Sequence, residues 1–164
     1  MMRSQSSVFI IFMLIMLAGC GFHLRGTAII PDDLKVIYIQ GVDTNKSLGL
    51  ELKNSLIRNG VTVVNDYQKD SAILTILENK VERRVLSVGS DAKVNEYELF
   101  GFVKFKVNDA EGQLLSDQQR VEARRSFQFD QNQVLGSIEE GSELRQQLDQ
   151  QLVQSILRRL AAIK

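Results

Sequence analysis

The sequence predicts a two-layer α+β sandwich, with two α-helices packed on one face of a mostly antiparallel four-stranded sheet that carries long hairpins. Three observations predict it. Two stretches repeat apolar residues every three or four positions, as amphipathic helices do. Three long β-prone stretches lie between them, parted only by short turns. The resulting order, β-α-β-β-β-α, lays helices on a sheet instead of alternating them with parallel strands.

The chain opens with Met1-Met2-Arg3, runs through an apolar stretch at residues 8–17, and reaches Leu17-Ala18-Gly19-Cys20. A basic start, a short apolar centre and small residues before a cysteine form a secretory signal pattern. A membrane-spanning helix needs about 20 apolar residues, and Gly19 with the segment from Gly21 to Arg25 ends this run earlier. Residues 1–19 are expected to be a signal peptide cut between Gly19 and Cys20, residues 20–33 an N-terminal tether, and residues 34–164 one domain. Cys20 is the only cysteine, so the chain can form no internal disulfide.

Residues 35–41 (KVIYIQG) read as a short buried strand ended by Gly41. Asn45-Lys46-Ser47 offers N-cap oxygens to a first helix, in which Leu48, Leu52 and Leu56 repeat with Ile57 beside them, and Gly60 supplies the stop. Residues 61–64 follow as a short strand or an extended entry. Ala72–Val88 and Val94–Asn108 flank a turn at residues 89–92 and predict a hairpin. A second turn at residues 109–112 leads into a third strand at residues 113–129. At about 3.3 Å per residue such strands reach roughly 50 Å, well beyond helices of ordinary length. From Ser142 onward, Leu144, Leu148, Leu152, Ile156, Leu160 and Ile163 predict a long amphipathic helix, with Gln, Asp and Arg on its other face.

Charge and composition exclude several functions. The 20 basic and 20 acidic residues balance, and only Arg3 would leave with the signal, so no long-range attraction to nucleic acid exists. His23 is the sole histidine and sits in the tether, which leaves no Ser-His-Asp or Cys-His site to build. Clusters of His and Cys suited to zinc are absent, and the Gly-Ser-Asp-Ala-Lys segment at Gly89 lacks P-loop spacing. No enzyme, metal or cofactor is expected.

Two constellations remain. In Val94–Asn108 the odd positions Tyr97, Leu99, Val103, Phe105 and Val107 form an apolar face that should meet the helices. Glu96, Glu98, Phe100, Phe102, Lys104 and Lys106 then point the other way. There Phe100 and Phe102 either stand exposed as a partner surface or pack under a loop or the strand entry near Val61. The second constellation is basic: Arg83, Arg84, Lys93, Lys104, Lys106, Arg120, Arg124 and Arg125, interleaved with Glu82, Glu96, Glu98 and Glu122. Cross-strand ion pairing on a wet sheet face is the favoured reading, and a local site for an anionic headgroup the functional one.

The stretch Cys20-Gly21-Phe22-His23-Leu24-Arg25-Gly26 resembles the mature N-terminus, C-G-[FW]-x-L-R, of the LptE family, the lipopolysaccharide-assembly lipoproteins of the Gram-negative outer membrane. The resemblance continues through the first strand, the helix ending Leu56-Ile57-Arg58-Asn59-Gly60-Val61, the triplet Asn95-Glu96-Tyr97 and residues 123–130. Leu17-Ala18-Gly19-Cys20 likewise resembles a lipobox, which implies S-diacylglycerol and an N-acyl chain on Cys20. Two or more acyl chains make such an anchor stable. Gly21 in place of Asp implies the outer membrane, facing the periplasm. The family resemblance implies a lipoprotein inside the lumen of the LptD β-barrel, which plugs and helps assemble that barrel, takes part in lipopolysaccharide transport and itself binds lipopolysaccharide. Family members place basic residues near the strand tips. Here the first turn carries Lys93 and residues 130–143 carry no Lys or Arg, so Arg83, Arg84, Arg124 and Arg125 stand in by proximity as candidate lipopolysaccharide contacts. Phe100, Phe102 and Lys104 are the candidate barrel interface. The alternative is a free-standing periplasmic lipid- or lipopolysaccharide-binding module with no permanent barrel partner, which would enclose an apolar cavity between sheet and helices.

Overall fold

A computed structural model of the chain describes residues 29–163, except residues 91 and 129–135 and the side chains of residues 136–140. The expected signal peptide, the cleavage and lipid positions Gly19 and Cys20, and most of the tether lie outside the described residues.

After a short 3₁₀ turn at Asp32–Leu34, the elements are β1 (Val36–Gln40), α1 (Ser47–Arg58), β2 (Thr62–Val64), β3 (Ala72–Val88), β4 (Val94–Asn108), β5 (Leu114–Gln128) and α2 (Gly136–Leu160). They build one five-stranded sheet in the order β2-β1-β3-β4-β5, with the two helices on one face. The α+β class is as the pattern predicts, but the expectation of four mostly antiparallel strands needs correction. Residues 62–64 are a true strand, and β1 runs parallel to both β2 and β3. The reason is connectivity: β1 returns through α1, and a crossover helix delivers the next strand parallel. The long pairs β3–β4 and β4–β5 are antiparallel, as expected of hairpins.

Leu48, Leu52 and Leu56 of α1 are fully buried, whereas Ile57, one position round the helix, is half exposed. The expected N-cap oxygen is also misplaced. Lys46 caps without a side-chain bond, and Asp43 Oδ1 instead accepts the Asn45 amide proton at 2.9 Å. The other end matches its prediction: the Val61 and Gly60 amides donate to Leu56 and Ile57 carbonyls at 3.1 and 3.0 Å, the paired bonds of a Schellman stop. Gly60 sits at φ +78°, which a residue with a Cβ adopts only with strain.

The core between the layers joins these leucines to Ile37, Leu74, Phe105, Val107, Leu148, Leu152, Val153, Ile156 and Leu160. The odd positions of β4 do face the helices. Gly101 settles this, because a Cβ built there would lie 2.9 Å from Leu148 Cδ2 and 3.2 Å from Leu152 Cδ1. A glycine inside a strand normally weakens it, and here it lets α2 approach the sheet backbone. Helix α2 begins before Ser142, where the leucine stripe starts, because a helix can form ahead of its apolar repeat.

Candidate functional site

The helix-free face of the sheet is assembled by the register of β3, β4 and β5. Cross-strand partners share a face, so four rows follow: Arg84–Glu98–Ser126, Glu82–Phe100–Arg124, Lys80–Phe102–Glu122 and Glu78–Lys104–Arg120. Within them Phe100 and Phe102 are neighbours two residues apart, with ring centroids 6.3 Å from each other.

Neither phenylalanine is exposed. Phe100 keeps 4 % of its surface and Phe102 8 %, although among the described residues no helix covers this face. Among the described residues the cover comes from neither a loop nor the strand entry near Val61 but from cationic side chains at adjacent positions, which lie across the rings. The Arg84 guanidinium carbon stands 3.9 Å from the Phe100 centroid and that of Arg124 stands 5.1 Å away. Arg120 lies 4.1 Å from the Phe102 centroid and the Lys104 ammonium 5.7 Å. Arginine's flat, weakly hydrated head suits this stacking, and each such contact contributes roughly 0.5–2 kcal/mol, more as water is excluded. The aliphatic stems add apolar cover while the heads stay in water.

The carboxylates between these cations complete the surface. Glu82 binds Lys80 at 2.6 Å and Arg84 at 2.8 Å, Glu122 binds Arg120 at 2.8 Å, and Glu78 binds Lys104 at 2.7 Å. The Lys80 and Arg84 hydrogen bonds to Glu82 hold its carboxyl at about 2, well below its usual value. Glu82 reciprocally raises Lys80 through the same hydrogen bond. Arg124 differs from its neighbours, since among the described residues no carboxylate lies within 4.0 Å of it and its contact is the Phe100 ring. The favoured expectation of ion pairing thus describes Arg84, Lys104 and Arg120, whereas among the described residues Arg83, Lys106, Arg124 and Arg125 have no carboxylate within 4.0 Å.

The predicted basic cluster is not one site. Arg84 and Arg124 meet over Phe100, whereas Arg83 and Arg125 flank Leu99 on the opposite, helix-side face. There Arg83 lies 4.7 Å from the Tyr97 centroid, and Tyr97 stacks on Phe127 at 5.7 Å. Lys93 sits in the turn at the hairpin end, apart from both groups. Sequence reasoning missed the stacking itself and the part played by Glu78 and Lys80. Only a known register could have revealed them, because one residue of slip sends every side chain to the other face.

A polar groove of about 390 Å³ lies between β5 and the last turns of α2, lined by Arg120, Val121, Glu122, Ser155, Arg158 and Arg159. The sequence pattern places Arg158 and Arg159 on the polar face of the last helix and Arg120 in the basic strand cluster, with nothing to join them. Inside the helix layer, Asp149 is buried, with Oδ1 3.4 Å from Arg145 Nε. Burial raises its carboxyl above the usual range, against the pull of Arg145. Among the described residues no helix is long and apolar enough to cross a membrane, and no cluster of His, Cys, Asp and Glu could hold a metal ion.

Comparison with known proteins gives a consistent relationship. Residues 34–160 match the family model described as LptE, lipopolysaccharide-assembly. The chain is 30 % identical over 146 residues to the LPS-assembly lipoprotein LptE of Photorhabdus laumondii, covering 89 % of this chain and 79 % of that one. Among solved structures it is similar to lipoprotein B of Nitrosomonas europaea (TM-score 0.69, 29 % identity, 87 % of this chain and 91 % of that chain). It is also similar to rare lipoprotein B of Shewanella oneidensis (TM-score 0.67, 27 % identity, 77 % and 94 % covered).

Proposed function

From the premise that the chain belongs to the LptE lipopolysaccharide-assembly family, we propose that it is a lipid-anchored plug and assembly partner of the LptD β-barrel. In this reading residues 1–19 are removed, acyl chains on Cys20 hold residues 20–33 at the outer membrane, and residues 34–164 occupy the barrel lumen from the periplasmic side. The protein acts by binding and filling, and lipopolysaccharide passes to the outer leaflet through the complex.

The observation that carries the proposal is the helix-free sheet face. Barrel interiors are polar, and a protein lodged in one needs a face whose charges are already fixed in place. The stacked and paired cations around Phe100 and Phe102 supply such a face without leaving an aromatic patch bare. Arg124 and Arg84 present N–H edges on this face, and guanidinium forks match the oxygens of phosphate or carboxylate. On this reading Phe100 and Phe102 serve the interface by holding arginines, and Lys104 serves it directly. The free-standing carrier is the weaker reading, because large apolar side chains from both layers occupy the space between sheet and helices.

The test is isolation of the full lipoprotein from outer membranes in mild detergent, with photoreactive residues at positions 93, 100, 102 and 124. Co-purification with a large outer-membrane β-barrel, and crosslinks from the sheet positions to it, are expected. Recovery of the lipoprotein with no barrel attached would refute the proposal. Mass spectrometry of the N-terminal peptide checks the lipid on Cys20 separately.

A further inference from the structure

Among the described residues strand β5 is the edge of the sheet, hydrogen-bonded to β4 on one side only. Along its other side runs the 390 Å³ groove walled by Ser155, Arg158 and Arg159 of α2. A free strand edge presents a row of unpaired backbone donors and acceptors. Set beside a helix, such an edge has the geometry by which protein modules take up an extended peptide as an added strand. Among the described residues β3 likewise has no strand partner on its outer side from Leu77 onward.

Charge narrows the occupant. The groove holds three arginines against one carboxylate, Glu122. Arg120 is committed to Glu122 at 2.8 Å, and Arg158 reaches Ser155 Oγ at 2.8 Å while keeping its charge. Arg159 has neither an ion pair nor a side-chain hydrogen bond among the described residues. A second copy of the chain is a poor occupant, because a two-fold contact sets the same patch against itself and opposes the excess positive charge. A lone phosphate would engage the guanidiniums but leave the strand edge unused.

We propose that this groove binds an extended acidic segment of a partner protein, which adds as a sixth strand along β5 and places carboxylates against Arg158 and Arg159. The site shares Arg120 and Glu122 with the helix-free face but not the arginines over Phe100, and its test reads β5 exchange and peptide affinity independently of any barrel.

The experiment uses the full chain in detergent micelles and a fluorescein-labelled heptapeptide, Thr-Glu-Val-Glu-Val-Glu-Thr. Its Gln-for-Glu analogue and an analogue N-methylated at alternate amides accompany it. Fluorescence anisotropy reads affinity, and hydrogen exchange reads protection of residues 114–128. Binding of the acidic peptide with new protection in β5 is expected. The Gln analogue, and the R158Q/R159Q variant of unchanged circular dichroism, should each bind about fivefold more weakly, the worth of two exposed ion pairs. N-methylation should abolish binding while retaining every charge, which keeps the proposal falsifiable even if the double variant misfolds. Equal binding of the acidic and N-methylated peptides, or displacement by inorganic phosphate without change in β5 exchange, would overturn it in favour of a simple anion site. Protection of β5 by self-association alone, or no binding at about 1 mM peptide, the weak limit of such recognition, would also overturn it.

Discussion

If the arginines over Phe100 are held by the ring and not merely crowded onto it, Phe100 and Arg124 must be energetically coupled. Arg124 is the clean probe, because Arg84 also binds Glu82 at 2.8 Å and its removal would change two interactions at once. The guanidinium lies 5.1 Å from the centroid of a ring that is 4 % exposed, inside the roughly 6 Å range of the cation–π interaction. A half-solvated pair of this kind should contribute about 0.5–1 kcal/mol. The assay is a double-mutant cycle, Phe100→Leu with Arg124→Met, read by urea unfolding of the full chain in detergent. Leu keeps an apolar group beneath the arginine and Met keeps a stem over the ring, so the cycle isolates cation from π face. Arg124→Met with Tyr97→Leu is the control, because Tyr97 lies on the opposite face. The control should be additive to within about 0.3 kcal/mol. A Phe100–Arg124 coupling inside that same margin would refute the claim that the rings position the arginines.

Three further outcomes follow from single residues. Gly101→Val should destabilise by about 1–3 kcal/mol through overpacking, because the first added carbon already meets Leu148 at 2.9 Å; a neutral result in urea unfolding would mean α2 docks more loosely. Glu82 has its folded pKa lowered to about 2, so its stabilising share is present above its unfolded value near pH 4.3 and is lost as pH falls toward 2; Glu82→Gln should flatten the acid limb of a stability–pH profile, and salt should shrink the difference. Asp149 is raised by burial, so the sign reverses: the native state favours its protonated form, and its share of stability is lost as pH rises through the raised value. Asp149→Asn should therefore be the more stable protein at pH 7 and indistinguishable from the parent in acid, as checked by thermal unfolding at both pH values.

The parts of the fold that could be read ahead are those set by local periodicity. Leu48, Leu52 and Leu56 announced α1, Gly60 its stop, and the stripe from Leu144 to Leu160 announced most of α2. Alternation in Val94–Asn108 correctly assigned the two faces of β4. What could not be read depended on partners distant in sequence. Thr62–Val64 is too short to declare itself a strand without β1 beside it, and β1 is parallel only because of where α1 delivers the chain. The site suffered in the same way. Phe100 and Phe102 were found from their own strand, but Arg84 and Arg124 come from two different neighbours, so their convergence was invisible until all three strands were aligned.

That convergence changes how the basic residues should be ranked. An arginine bound to a carboxylate has its charge largely neutralised on the spot, and recruiting it for a ligand means breaking the existing pair. Arg120 with Glu122 is in that position, and Arg84 with Glu82 partly so. An arginine laid on an aromatic face is oriented at little electrostatic cost, since the ring carries no net charge, and its N–H edges stay open to an oxyanion. Arg124 is therefore the residue on this face best prepared to meet phosphate. Arg83 and Arg125 cannot assist it, because they lie across Leu99 on the other side of the sheet. A ligand gripping Arg124 and Arg84 leaves Arg83 and Arg125 untouched, so substitutions in the two pairs should add without coupling. Any measured coupling between them would require a partner that wraps the hairpin edge and contacts both faces at once.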